Sequence, residues 1–171
     1  MARSKKIVEG SCFKLRCTTS QRIYVAREMK FGVTSFYYFP QVQEDTELDA
    51  LIPDATPIYS NFVHKDVYKE MEFLKVIQLS KDEESFTPKF FRQDFTNIEK
   101  CYLIIAGQLE PIPCKPEDCI GLERATIHES IDSICEKLEF FVTGKKQKLH
   151  ELYRLRIPGI DEPFDFSKKL L

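Results

Sequence analysis

The apolar stripe formed by Ile127, Ile131, Ile134, Leu138, Phe141 and Val142 leaves this chain few ways to fold. These residues recur at three- and four-residue intervals, so they share one face of a helix that must be buried against something broad and apolar. Thr126 with Glu129 three residues later reads as a capping box that starts the helix, and Gly144 reads as its stop. The surface to receive it lies upstream. Phe13, Leu15 and Cys17 alternate with Lys14 and Arg16, Ile23 and Val25 sit in a β-branched run, and Phe36 to Phe39 is wholly aromatic. A period of two belongs to strands, and the turns Thr18 to Gln21 and Lys30 to Gly32 separate three of them into a meander. The expected fold class is α+β: an N-terminal antiparallel sheet with a C-terminal amphipathic helix packed across it.

Further along, Glu44 to Thr56 is acidic and carries Pro53, which favours a loop, and Pro57 to Val63 reads as a short strand. Val67 to Leu79 reads as helix then strand, and Lys81 to Asn97 as a polar and aromatic connection. Cys101 to Gln108 is a dense apolar run typical of a central strand of the sheet. Leu149 to Ile157 fits a helix through Leu149, Leu152 and Tyr153, and equally a strand through Tyr153, Leu155 and Ile157; Pro158-Gly159 ends either one. With no repeat and no flexible linker, the division is a single α+β domain over 1–157 and a C-terminal tail over 158–171. At 171 residues such a chain buries about 70% of its unfolded surface without staples.

That size also bears on the six cysteines. A chain that builds its own core does not need disulfides, and Met1 to Lys6 is basic with no apolar run behind it, so reduced thiols in the cytoplasm or nucleus are expected. The longest apolar stretch, Tyr102 to Ala106, is far short of the roughly 20 residues that span a bilayer, and no membrane partner is expected. Cys101 and Cys135 read as small core residues. Cys12 with Cys17 and Cys114 with Cys119 repeat one interval and together would supply four thiolates to zinc. Strand alternation, however, sends Cys12 and Cys17 to opposite faces, so no metal and no cofactor are expected.

The remaining motifs exclude more than they assign. The six glycines are too widely spaced to write a phosphate-cradling loop, and neither a nucleophile elbow nor a zinc-protease motif is present. His128, Asp132 and Cys135 fall on one side of the expected helix, but seven residues span about 10 Å, too far for His128 to serve Cys135. A surface His128–Asp132 contact beside a core thiol is the expectation, and no catalytic residue is assigned. The leading function is a non-catalytic intracellular protein-interaction domain, adaptor or regulatory. Phe164 and Phe166, flanked by Asp161, Glu162 and Asp165, are the partner-binding residues in that reading, unless the rings tuck back onto their own domain. The alternative is a nucleic-acid-binding domain using Lys145, Lys146, Lys148, Arg154 and Arg156, opposed only by Glu151, with the rings of Phe36 to Phe39 as a stacking platform. A net charge of −2 supplies no global field, so such binding would be weak and non-specific. A second alternative is a small enzyme that gathers His64, His128 or His150 with a cysteine.

Overall fold

In the computed structural model the described residues are 6–40, 48–145 and 148–165, with backbone alone at 48–49 and 148–150. The elements in chain order are β1 (Ser11–Arg16), β2 (Ile23–Glu28), β3 (Val33–Tyr38), α1 (Leu48–Leu51), β4 (Tyr59–Val63), β5 (Glu72–Val76) and α2 (Lys81–Ser85). They continue as β6 (Lys89–Gln93), β7 (Cys101–Ile105), β8 (Ile112–Cys114), β9 (Ile127–His128), α3 (Ile131–Thr143) and α4 (Lys148–Tyr153). The fold is α+β, with many strands, one main helix and several short ones. Two compact units form: residues up to 86 with 127–144, and residues 87–126 with 145 onward. No helix among the described residues is long and apolar enough to cross a membrane.

The first unit holds a mixed six-stranded sheet in the order β5-β1-β2-β3-β4-β9. All pairings are antiparallel except that of β4 with β9. Alternation along each strand sorts the side chains into two cores. Phe13, Leu15, Tyr24, Ala26 and Phe36 face Ile134, Cys135 and Leu138 of α3, while Cys12, Val25 and Tyr37 face Ile52 and Ile77. Phe36 and Tyr37 are thus both buried and Tyr38 and Phe39 half-buried, so the aromatic run is core on both sides and offers no open stacking platform.

The helix packs across the sheet as its stripe requires, but it starts later. Its cap is Ser130, whose hydroxyl accepts from the Ser133 amide at 3.2 Å, and not Thr126. Ile127 and His128 instead pair in parallel with Phe62 and Val63. Gly144 closes the helix in the left-handed conformation, at φ 69°. Two further ties hold α3 down. Cys135 is joined to Cys17 in a disulfide across 118 residues, where reduced thiols were expected. Glu139 accepts from the hydroxyls of Ser20 and Tyr24, each at 2.6 Å, and pairs with Arg22.

The opposite face is closed by charge as well as by apolar packing. Arg27 on β2 is 1% exposed, and its guanidinium pairs with Glu83 of α2 at 2.6 Å and donates to the Ile77 and Gln78 carbonyls. Glu83 also completes the capping box of α2, accepting from the Ser80 amide while its own amide donates to the Ser80 hydroxyl. At the head of β1, Gly10 (φ +84°) lies so close to the Ile77 carbonyl that a Cβ would meet it at 2.2 Å.

The second unit is built on a three-stranded antiparallel sheet, β6-β7-β8. Cys101 to Ile105 is the middle strand of this sheet and not of the larger one, and the expected connection at 81–97 carries both α2 and β6. Gln93, 3% exposed, donates to the Ile98 and Arg156 carbonyls, both at 2.7 Å, and accepts from the Arg156 amide at 3.0 Å. Of the two readings left open for 149–157, the helical one describes Lys148–Tyr153. Leu138, fully buried on the sheet-facing side of α3, tests the core: Leu138→Ala is expected to lose about 2–5 kcal/mol of unfolding free energy in urea titration.

Candidate functional sites

Among the described residues, a thiol cluster, a buried histidine relay and a groove each gather chemistry-bearing side chains. The thiol cluster belongs to the second unit. Antiparallel pairing of β7 with β8 sets Cys101 opposite Cys114, and the 3₁₀ turn Pro116–Cys119 swings Cys119 back onto both. Cys119 Sγ lies 3.6 Å from Cys101 Sγ and 3.4 Å from Cys114 Sγ, and all three sulfurs lie within 4.8 Å of one another. Phe91, Leu122 and Leu155 pack around them. Burial raises the Cys101 and Cys119 thiols above the ordinary range, so without a cation they stay protonated. Among the described residues, this is the one group of three or more His, Cys, Asp or Glu side chains placed to hold a metal ion.

The histidine relay belongs to the first unit. His128 sits on β9 and not on the helix, so the side it was expected to share with Asp132 and Cys135 does not exist. It is buried at 4% exposure, with Nε2 2.8 Å from the Tyr59 hydroxyl and Nδ1 3.0 Å from the Ser133 hydroxyl. Ser133 in turn donates to the Ser130 carbonyl at 2.9 Å, and Asn61 donates to the Tyr59 hydroxyl at 2.9 Å. These bonds run one way: Asn61 to Tyr59, Tyr59 to His128 Nε2, His128 Nδ1–H to Ser133, and Ser133 to the carbonyl. The hydroxyl proton of Ser133 is therefore committed away from the ring, and His128 is not placed to deprotonate it. Burial, helped by Lys137, lowers the imidazole pKa to about 4, so the ring is neutral and structural at neutral pH.

The groove, of about 650 Å³, is also in the first unit and is lined by Lys6, Ile7, Phe13, Lys65, Asp66, Tyr68, Lys69 and Phe73. Its floor is aromatic and fixed. The ring of Phe13 lies 4.8 Å from Tyr68 and 5.6 Å, edge-on, from Phe73. The Tyr68 hydroxyl bonds inward to Glu28 and Thr34, which leaves its ring as wall. Three lysines against Asp66 make the rim net positive, with Lys69 paired to Asp66 at 2.5 Å.

The residues singled out in the sequence meet varied fates. Phe164 is half-buried in the second unit, edge-on to Phe95 at 6.3 Å and under the Arg156 guanidinium at 5.5 Å, and its amide donates to the Phe95 carbonyl. Phe166 lies outside the described residues, as do Lys146 and the side chains of Lys148 and His150. Lys145 is exposed. Arg154 pairs with Glu151 at 3.0 Å and with Asp161 at 2.8 Å, and Arg156 donates to the Glu162 carbonyl at 3.0 Å. The two arginines thus hold residues 151–164 together, and local acids offset the charge of Arg154.

No family model matches the chain, and no curated protein or solved structure matches it. The groove went unseen in the sequence because its lining comes from four separated segments. Cys101 read as core because its partner in the cluster is set by cross-strand register, which spacing does not reveal.

The buried imidazole gives a pH test. The unfolded ring titrates near 6.5 and the folded ring near 4, so below pH 6.5 the unfolded chain binds the extra proton and stability falls with pH until the folded ring also titrates. From pH 7 to pH 5 the expected loss from this one group is about 2 kcal/mol. Denaturant titrations at the two pH values, with His128→Gln as the variant in which that loss disappears, measure it.

Proposed function

We propose that the protein is a non-catalytic interaction domain whose first unit receives an acidic segment of a protein partner. An apolar or aromatic side chain of that segment sits on Phe13, Tyr68 and Phe73 while its carboxylates meet Lys6, Lys65 and Lys69. The observation that carries this reading is the groove, which couples a rigid apolar floor with a net-positive rim. Aromatic floors supply contact area at little entropic cost, and rim charges set sign and encounter rate more than affinity. The His128 relay supports a non-catalytic reading, because its neutral ring is hydrogen-bonded at both nitrogens within the fold.

The test uses a fluorescent peptide of aspartates and glutamates around one phenylalanine, read by polarisation. Binding is expected to weaken when the phenylalanine becomes serine, and by about tenfold in the double variant Lys6→Glu, Lys65→Glu. Rising salt should weaken it only in part, since the apolar anchor is not screened. An oligouridine bound more tightly than the peptide, with affinity falling steeply in salt, would replace this reading with the nucleic-acid one. Peptide affinity unchanged in the double variant would remove the groove from it.

A further inference from the structure

We propose that Cys101, Cys114 and Cys119 are the protein ligands of a zinc ion that fastens the second unit. Tetrahedral zinc with sulfur ligands at about 2.3 Å sets neighbouring sulfurs about 3.8 Å apart. The separations from Cys119, 3.4 and 3.6 Å, are already close to that edge, and all three sulfurs lie within 4.8 Å of one another. The ligands arrive from three directions: the middle strand β7, the edge strand β8 and the turn that follows it. This convergence is what a metal knuckle needs, and what an ordinary run of core residues on one strand face does not produce. Pro113 and Pro116 flank Cys114 on either side and limit the conformations of the loop that brings Cys114 and Cys119 together. Three thiolates in an apolar pocket of Phe91, Leu122 and Leu155 are a soft donor set that selects zinc over oxygen-seeking cations.

The charge balance is explicit. Zinc enters as the dication, three S–H protons leave to solvent, and the complex carries one negative charge. Two local features suit that charge. The Tyr102 amide donates to Cys101, and the half-buried guanidinium of Arg124 interacts with the charge of the same cysteine. Cys114 is the least buried of the three, so solvent reaches the cluster on its side. The ion would bind β7, β8 and the turn into one piece in a unit whose sheet has only three strands, adding its binding free energy to a small core.

The experiment purifies the full chain anaerobically, without chelator, and measures metal by elemental analysis. The expected result is about one zinc per chain. Cys114→Ser, the change least disturbing to the core, should fall to none detectable, while Cys12→Ala, at a buried thiol of the first unit, should retain it. Cobalt added to the chelated protein should give a thiolate-to-metal charge-transfer band that Cys114→Ser lacks, with far-ultraviolet circular dichroism showing that this variant keeps its strands. Reduced protein that takes up neither zinc nor cobalt would overturn the proposal. So would zinc retained by Cys114→Ser, zinc lost equally from Cys12→Ala, or a disulfide found by mass spectrometry between any two of the three.

Discussion

Glu139 sits where the first unit is closed. The strands of residues 11–76 present an apolar face that nothing in the first 86 residues covers fully, and the helix that covers it is encoded beyond a 40-residue excursion. Hydrophobic burial of Ile134 and Leu138 supplies most of the attraction, but it is non-directional and would tolerate sliding. The Glu139 carboxylate supplies direction. Burial pulls it upward, yet the Ser20 and Tyr24 hydroxyls and the Arg22 guanidinium outweigh that and hold it below its ordinary value, so it stays ionised at neutral pH. Ser20 and Arg22 of the β1–β2 connection and Tyr24 of β2 converge on one side chain of α3, and the Cys17–Cys135 bond lies one turn away on the same helix. Together they fix both the axial and the rotational setting of α3, and with it β9, His128 and the Tyr59 contacts.

The two faces of the large sheet solve the same problem differently. One is closed by a helix with an apolar stripe; the other is closed partly by Arg27, whose charge is brought inside by Glu83 and two carbonyls. Burying the Arg27 charge costs desolvation that the attraction to the half-buried Glu83 only partly offsets, so the pair's contribution is to geometry: α2 has one place to sit. The apolar residues of this face, Val25 and Tyr37 among them, are fewer than those beneath α3.

These features divide by how local their causes are. β1 to β3 were legible because alternation with period two survives in a single stretch of residues, and α3 was legible because its stripe and Gly144 are local as well. The helix start was misread because Thr126-x-x-Glu129 and Ser130 are competing caps, and the parallel pairing of Ile127 and His128 with β4, a non-local bond, decides between them. β6 was missed because Phe90 and Phe91 are a bare apolar pair among polar neighbours; their strand exists through pairing with β7. The disulfide joins residues 118 apart and leaves no trace in either neighbourhood. Of the thiol cluster, the Cys114–Cys119 interval was visible, but Cys101 joins it only through strand register.

The late position of α3 has a consequence for how the chain is made. When residue 86 has left the ribosome, β1 to β5 are all available to pair, but Phe13, Leu15, Tyr24 and Phe36 still lack their helix. Residue 131 follows 45 positions later, which at roughly 5–20 residues per second is an interval of some seconds. During that interval the sheet has an apolar side turned to solvent and no β9 on its edge, the condition under which nascent chains are held by chaperones or pair with one another. Vectorial synthesis therefore exposes this fold at its least protected stage, and the yield of native protein in a cell depends on how that interval is bridged as much as on the stability reached afterwards.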